Sequence, residues 1–243
     1  MTTDAALAAA HREPRRSVEP LRAALALGMA GALGEELLAA LLASPQYGLV
    51  HVALRQAVAS GTAKYRPWRI GSSIISADDA FICVTTSDTF VPRSSPAELF
   101  DAQHLLDAAR IARDASVRRL VVVSPLSALL QMNAASHTVS SEQELALVQM
   151  NFETLVIVRP TQSELAEAAG PWLSRTVREL GRMVLEIMLP VHVQALRPRT
   201  AAQAILTAVS RLPTGVHVIG ARELLAVVEE TMPGLAPRRP RLR

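Results

Sequence analysis

The sequence predicts an α/β fold, a parallel sheet with helices on both faces, and three observations predict it. Short apolar runs alternate with longer amphipathic segments along the chain. The first run ends in a glycine turn at Gly28 that opens directly into a helical pattern. The composition is 50% hydrophobic but only 3% aromatic, and Ala, Leu and Val suit buried parallel strands under Ala/Leu-rich helices. At 243 residues the chain is long enough for one domain with a substantial core.

The elements follow in order. After a polar leader over 1–20, Leu21 to Leu27 is a short apolar run ending on glycine, hence a buried strand. From Gly31 the pattern becomes helical, with Leu33, Leu37, Leu38, Leu41 and Leu42 on one stripe, and Ser44-Pro45 ends it. Leu49 to Leu54 is the second strand, completing a βαβ unit. Ser60 to Ser76, carrying Lys64, Arg66 and Arg69, reads as irregular, and Ala80 to Val84 is the next strand. Ser95-Pro96-Ala97-Glu98 combines a capping serine, a proline and a glutamate three residues on, which predicts a helix from Ser95 to about Asp114. Val117 to Ser124 reads as a central strand, Ser136 to Met150 as a helix and Thr154 to Arg159 as a strand. Beyond Pro160 come helices over Pro171 to Leu189 and Thr200 to Arg211, a strand at Val216 to Ile219 and a last helix near Arg222 to Glu230. The domain is expected over 21–231, with a Pro/Arg-rich tail over 232–243.

Composition excludes several function classes. The net charge of +3 belongs to the tail, because Arg238, Arg239, Arg241 and Arg243 carry four positives and the rest of the chain is close to neutral. With so few rings to stack bases, nucleic acid is not an expected partner. The single Cys83 lies in an apolar strand, forms no internal disulfide and excludes a Cys-rich zinc site. His104, His192 and His217 are read as lacking acidic or Cys neighbours at ligand spacing, so no metal is expected. The start of the chain does not read as a signal peptide and no apolar run has the length of a membrane span, which fits a cytoplasmic protein.

Gly28-Met29-Ala30-Gly31-Ala32-Leu33-Gly34 is a GxxGxxG sequence where a strand becomes a helix. The first glycine permits a sharp turn, the second lets backbone amides approach a pyrophosphate, and the third permits close packing of the helix. The helix start then points unpaired N–H groups and a partial positive charge at phosphates. This makes the fold a Rossmann-type doubly wound sheet and a dinucleotide its expected ligand. An acidic residue at the end of the second strand would select NAD(H), yet there is no Asp or Glu between Glu36 and Asp78. Arg55 stands there instead, which favours NADP(H) over NAD(H) through a 2′-phosphate.

With the glycine turn, Arg55, the Cys83 strand, Val121-Val122-Val123-Ser124 and Val158-Arg159-Pro160 in this order, the chain resembles the atypical short-chain dehydrogenase/reductases. The likeness is to the NmrA-like and Tat-interacting-protein-like NAD(P)H-binding branch, and it extends from about Leu21 to about Val228. The resemblance implies a tyrosine and lysine four residues apart on the helix after the Val-Ser strand, the lysine lowering the tyrosine's pKa. Here His137 and Ser141 stand at those positions, and Tyr47 and Tyr65 lie in the other half of the chain. It also implies a substrate-orienting hydroxyl, reduced here to Ser124, and a cofactor-lining loop at Val84, Thr85 and Thr86, with Thr85 where relatives carry glycine. The resemblance implies that the region after Pro160 forms a small C-terminal substrate lid, and its apolar helical stretch reads as the lining of a pocket, a surface for another subunit or an ordinary helix covering the sheet.

Two functions follow. One is an NADP(H)-binding regulatory or interaction protein without redox turnover, with a protein partner or a second copy of the chain as its counterpart. The other is an NADPH-dependent reductase or isomerase of a small carbonyl or quinone, with His137 as a replacement acid.

Overall fold

The computed structural model describes residues 21–56, 61–85, 90–124, 126–127, 139, 141–162 and 196–231. Among these the order is β1 (Arg22–Leu27), α1 (Gly31–Ala43), β2 (Tyr47–Ala53), β3 (Tyr65–Trp68), β4 (Asp79–Cys83), α2 (Leu105–Asp114), β5 (Arg119–Val123) and β6 (Leu126–Ser127). Then follow α3 (Ser141–Gln149), β7 (Thr154–Val158), β8 (Thr161–Gln162), α4 (Pro198–Arg211), β9 (Gly215–Ile219) and α5 (Ala221–Thr231).

Seven strands form one sheet in the order β3-β2-β1-β4-β5-β7-β9, and every neighbouring pair is parallel. β6 and β8 make a separate two-stranded pair. Strands β4 and β7 are buried along their whole length, so alternation disappears and, after the opening Asp79 and Thr154, they read as continuous apolar runs. On one face Leu33, Leu37 and Leu41 of α1, Ile205 of α4 and Leu224 of α5 pack against β1, β2 and the central strands. On the other face Leu105, Ala108 and Ala112 of α2 and Leu147 of α3 cover the alternate side chains. The expected doubly wound α/β fold is therefore the fold found.

Two expectations are corrected. The stretch read as irregular contains β3, an outer strand whose Pro67 disguises it. Val50 and Leu54 donate to the Lys64 and Trp68 carbonyls at 2.8 and 2.9 Å, so in this parallel ladder Arg66 and Trp68 face β2 and Pro67 faces outward. There a proline sacrifices no ladder bond. Second, no helix starts at Ser95. The backbone there is recruited by the end of β2: Ala97 forms an antiparallel bridge with Leu54, Arg55 N–H donates to Pro96 O at 2.9 Å, and Glu98 N–H donates to Ala53 O at 3.2 Å. Helix α2 begins at Leu105, where Asp101 Oδ1 accepts from the Gln103 and His104 amides at 2.9 and 3.0 Å, and it ends at Asp114 as expected. The leader, the tail, the expected helix over Pro171 to Leu189 and residues 136–138 lie outside the described residues, while Val139 is a buried bend, so the helix expected from Ser136 is helical from Ser141.

Topology now singles out one place. β1 is flanked by β2 on one side and β4 on the other, and the helices that follow β1 and β4 cover opposite faces. At such a switch point the connections leave in opposite directions, opening a crevice beyond the carboxyl ends of the strands.

Candidate functional site

The glycine turn occupies that switch point. Gly28 and Gly31 both have φ of +71°, a left-handed conformation that favours glycine. A Cβ on Gly28 would lie 2.2 Å from the Cys83 carbonyl oxygen, so the turn rests directly on the last residue of β4. A Cβ on Gly34 would lie 2.9 Å from the Met29 carbonyl carbon, so the third glycine lets the helix close onto the turn itself. Ala30 N–H donates to Gly28 O at 2.8 Å, tightening the bend. Helix α1 then starts with no side chain capping it and no acid in its first turn. An uncapped start leaves amide donors for an anion. Gly28, Met29, Ala30, Gly31, Leu33 and Gly34 are buried, and Ala32 is the part-exposed residue of the turn.

Parallel register brings the other expected residues to the same edge. Leu27 pairs with Ile82, Cys83 with Val123, Val123 with Val158, and Val158 with Ile219, so the carboxyl ends of β1, β4, β5, β7 and β9 line up. Val84 is buried and donates its N–H to Val123 O at 2.8 Å. Ser124, also buried, donates its N–H to Val158 O at 2.9 Å. Thr85 sends both its N–H and its hydroxyl to Phe100 O, at 2.8 and 3.1 Å, so that hydroxyl is committed to the scaffold. Arg55 follows β2, exposed, with Nε on Ala97 O at 3.2 Å and Nη2 on Ser95 O at 3.3 Å. Beyond β7, Arg159 is ion-paired with Glu144 of α3. Thr86 and His137 lie outside the described residues.

The opposite, amino edge carries charge that sequence reasoning missed. Asp79 is fully buried, accepting from Arg22 Nη2 at 2.6 Å and from the Tyr47 hydroxyl at 2.8 Å. Arg119 Nε lies 4.0 Å from Asp79 and is, among the described residues, a buried nitrogen with no hydrogen-bond acceptor. Beside it Asp78 accepts from Ala23 N–H at 2.8 Å and from Arg118 at 3.1 Å. Burial pushes the Asp79 carboxyl above its ordinary range, against the pull of Tyr47 and the arginines, whereas the Ala23 amide holds Asp78 below it. Tyr47 is raised by burial and by Asp79, and burial alone raises Tyr65. Burial also pushes the Cys83 thiol up to about 12, which leaves it inert.

This placement bears on chemistry. Tyr47 and Tyr65 are the chain's two tyrosines, and both open strands at the amino edge. Lys64 is its only lysine, and it donates to Ser44 O at 2.9 Å below the end of α1. Neither half of a Tyr/Lys proton relay therefore stands at the carboxyl edge.

Asp101 does accompany His104, at 2.8 Å, which corrects the reading that this histidine has no acidic neighbour. Among the described residues no group of three potential ligands could hold a metal, and no helix is long and apolar enough to cross a membrane.

No known family description matches the chain, and no curated protein matches it in sequence. Among solved structures it is similar to a nucleoside-diphosphate-sugar epimerase from Staphylococcus aureus, at 14% identity and a TM-score of 0.48, covering 89% of this chain and 78% of the epimerase. It is also similar to the Bordetella bronchiseptica enzyme WbmG in complex with NAD, at 12% identity and a TM-score of 0.37, covering 90% and 96%. At these levels neither likeness transfers a ligand or an activity.

Proposed function

We propose that this protein binds a nicotinamide dinucleotide at the carboxyl edge of its sheet, prefers NADP(H), and serves as a nucleotide-responsive regulatory or interaction module without Tyr/Lys redox chemistry. The observation that carries this reading is the uncapped start of α1 at the topological switch point, reached through two left-handed glycines. A diphosphate would approach over Ala32, the part-exposed residue of the turn. The preference for NADP(H) is supported by the acid-free stretch between Glu36 and Asp78 and by Arg55. Two carbonyls hold its guanidinium, and among the described residues no carboxylate pairs with it, which leaves donors of its fork for a phosphate. The absence of redox turnover is supported by the two tyrosines and the lysine standing at the other edge.

Calorimetry with NADP+, NADPH and NAD+ tests the ligand. Binding of NADP(H) that Gly31→Asp weakens supports the reading, and no heat with any of the three removes it. NADPH oxidation in a screen of carbonyls and quinones tests the second half. Turnover abolished by a His137 substitution would favour the alternative, an NADPH-dependent reductase or isomerase.

A further inference from the structure

The segment in which no helix starts fills the gap that β1 leaves. The last pairs of β1 are Ala26 with Val52 of β2 and Leu27 with Ile82 of β4, after which the chain turns away at Gly28. The chain of each flanking strand continues past that level. Leu54 N–H donates to Trp68 O on β3, so the backbone groups of Ala53 and Arg55 point the other way, toward the line of β1. There they meet residues 96–98: Ala53 O accepts from Glu98 N–H at 3.2 Å, and Arg55 N–H donates to Pro96 O at 2.9 Å. On the far side Val84 N–H donates to Val123 O on β5, so the Thr85 amide points toward the line of β1, where it reaches Phe100 O at 2.8 Å. Residues 96–100 therefore cross from β2 to β4 directly beyond the end of β1.

This crossing is anchored. Ala97 and Phe100 are buried, and Phe100 shares the core on the α2 face with Leu27, Ala53 and Val84. The Arg55 guanidinium clasps the segment from β2, with Nε on Ala97 O and Nη2 on Ser95 O. Strands β2 and β4 stand two strand spacings apart, about 10 Å, and one added backbone fills that width. The same gap is the crevice of the switch point, where a dinucleotide lays its adenosine half toward the end of the second strand. Strap backbone and adenosine cannot occupy it together.

We propose that residues 95–100 are a strap that shuts the adenosine side of the crevice, and that a dinucleotide enters by displacing it while Arg55 exchanges two strap carbonyls for phosphate oxygens. The exchange favours the nucleotide, because a guanidinium bonds an anionic oxygen more strongly than a neutral carbonyl. Apparent affinity is then set by the fraction of molecules whose strap is open. This rests on the dinucleotide reading above and adds the regulation of that site.

Locking and loosening the strap test it. Leu54 and Ala97 face each other as a non-hydrogen-bonded antiparallel pair, a spacing that accepts a disulfide, and the native Cys83 is buried away from oxidants. Calorimetry with NADP+ on Leu54→Cys/Ala97→Cys should show affinity at least about tenfold lower in the oxidised form, restored on reduction. Glu98→Pro removes the N–H that Ala53 O accepts, and should bind NADP+ about tenfold more tightly than Glu98→Gln, which keeps it. The proposal is overturned if the oxidised form binds as tightly as the reduced one, or if Glu98→Pro gains nothing over Glu98→Gln. Should one variant fail to fold, the other decides. Either of those results leaves dinucleotide binding standing, whereas a parent and a Glu98→Pro variant that take up neither NADP+ nor NAD+ would remove both readings.

Discussion

The two ends of this sheet are built from opposite materials. At the amino edge Arg22, Tyr47, Asp79 and Arg119 converge in a buried cluster, with Asp78 and Arg118 alongside. At the carboxyl edge stand glycines, an uncapped helix start and the exposed Arg55. The amino edge is nearly saturated by its own partners, so its side chains hold the strands in register. The carboxyl edge leaves backbone donors without side-chain caps, so it is where a ligand has something to gain. Charge density alone would point to the amino edge instead.

The largest expected effect comes from breaking the amino edge. Asp79→Ala strands two arginines and a tyrosine in a buried setting and should cost about 3–5 kcal/mol in urea unfolding. A cost under about 1 kcal/mol would show that water already satisfies the cluster. Gly34→Ala probes the other end, where a new Cβ meets backbone at 2.9 Å that no rotamer change relieves. About 1–3 kcal/mol should be lost, visible as a lower melting temperature.

A pH series sharpens the contrast between the two neighbouring aspartates. Because the Ala23 amide lowers the folded-state pKa of Asp78, its contribution is present above the ordinary value of 3.8 and is lost as pH falls through the lower folded value. For Asp79 the sign is reversed: the protonated form favours the fold, and its contribution fades as pH rises through the raised value. Asp78→Asn should therefore flatten the acid limb of the urea midpoint below about pH 4. An unchanged limb would assign acid sensitivity elsewhere. The smallest effect on stability is expected from Ala32→Glu, which places an acid in the first turn of α1. Near the helix start it should leave stability unchanged or raise it by about 0.3–1 kcal/mol. The same charge should weaken NADP(H) binding by tenfold or more, as calorimetry would show. Equal binding would mean that the diphosphate does not approach over Ala32.

Much of this was legible from local pattern. The strand-glycine-helix passage from Leu21 to Ala43 needs only near neighbours, and the sequence marks it. The cluster at the amino edge was not legible, because Arg22 and Asp79 stand 57 positions apart and only parallel pairing of β1 with β4 brings them together. Ser95-Pro96-Ala97-Glu98 misled for a related reason: its capping pattern is genuine, but Leu54 and Arg55 claim its backbone first. β3 escaped notice because Pro67 and Arg66 look like loop residues unless the strand is known to be outermost.

Pro67 has one more consequence. A stray extended peptide arriving at that rim would seek a regular row of amide hydrogens to latch onto, and at Pro67 the row has a missing rung. Among the described residues β3 ends the sheet, and the missing amide hydrogen makes this border a poorer template for a further strand.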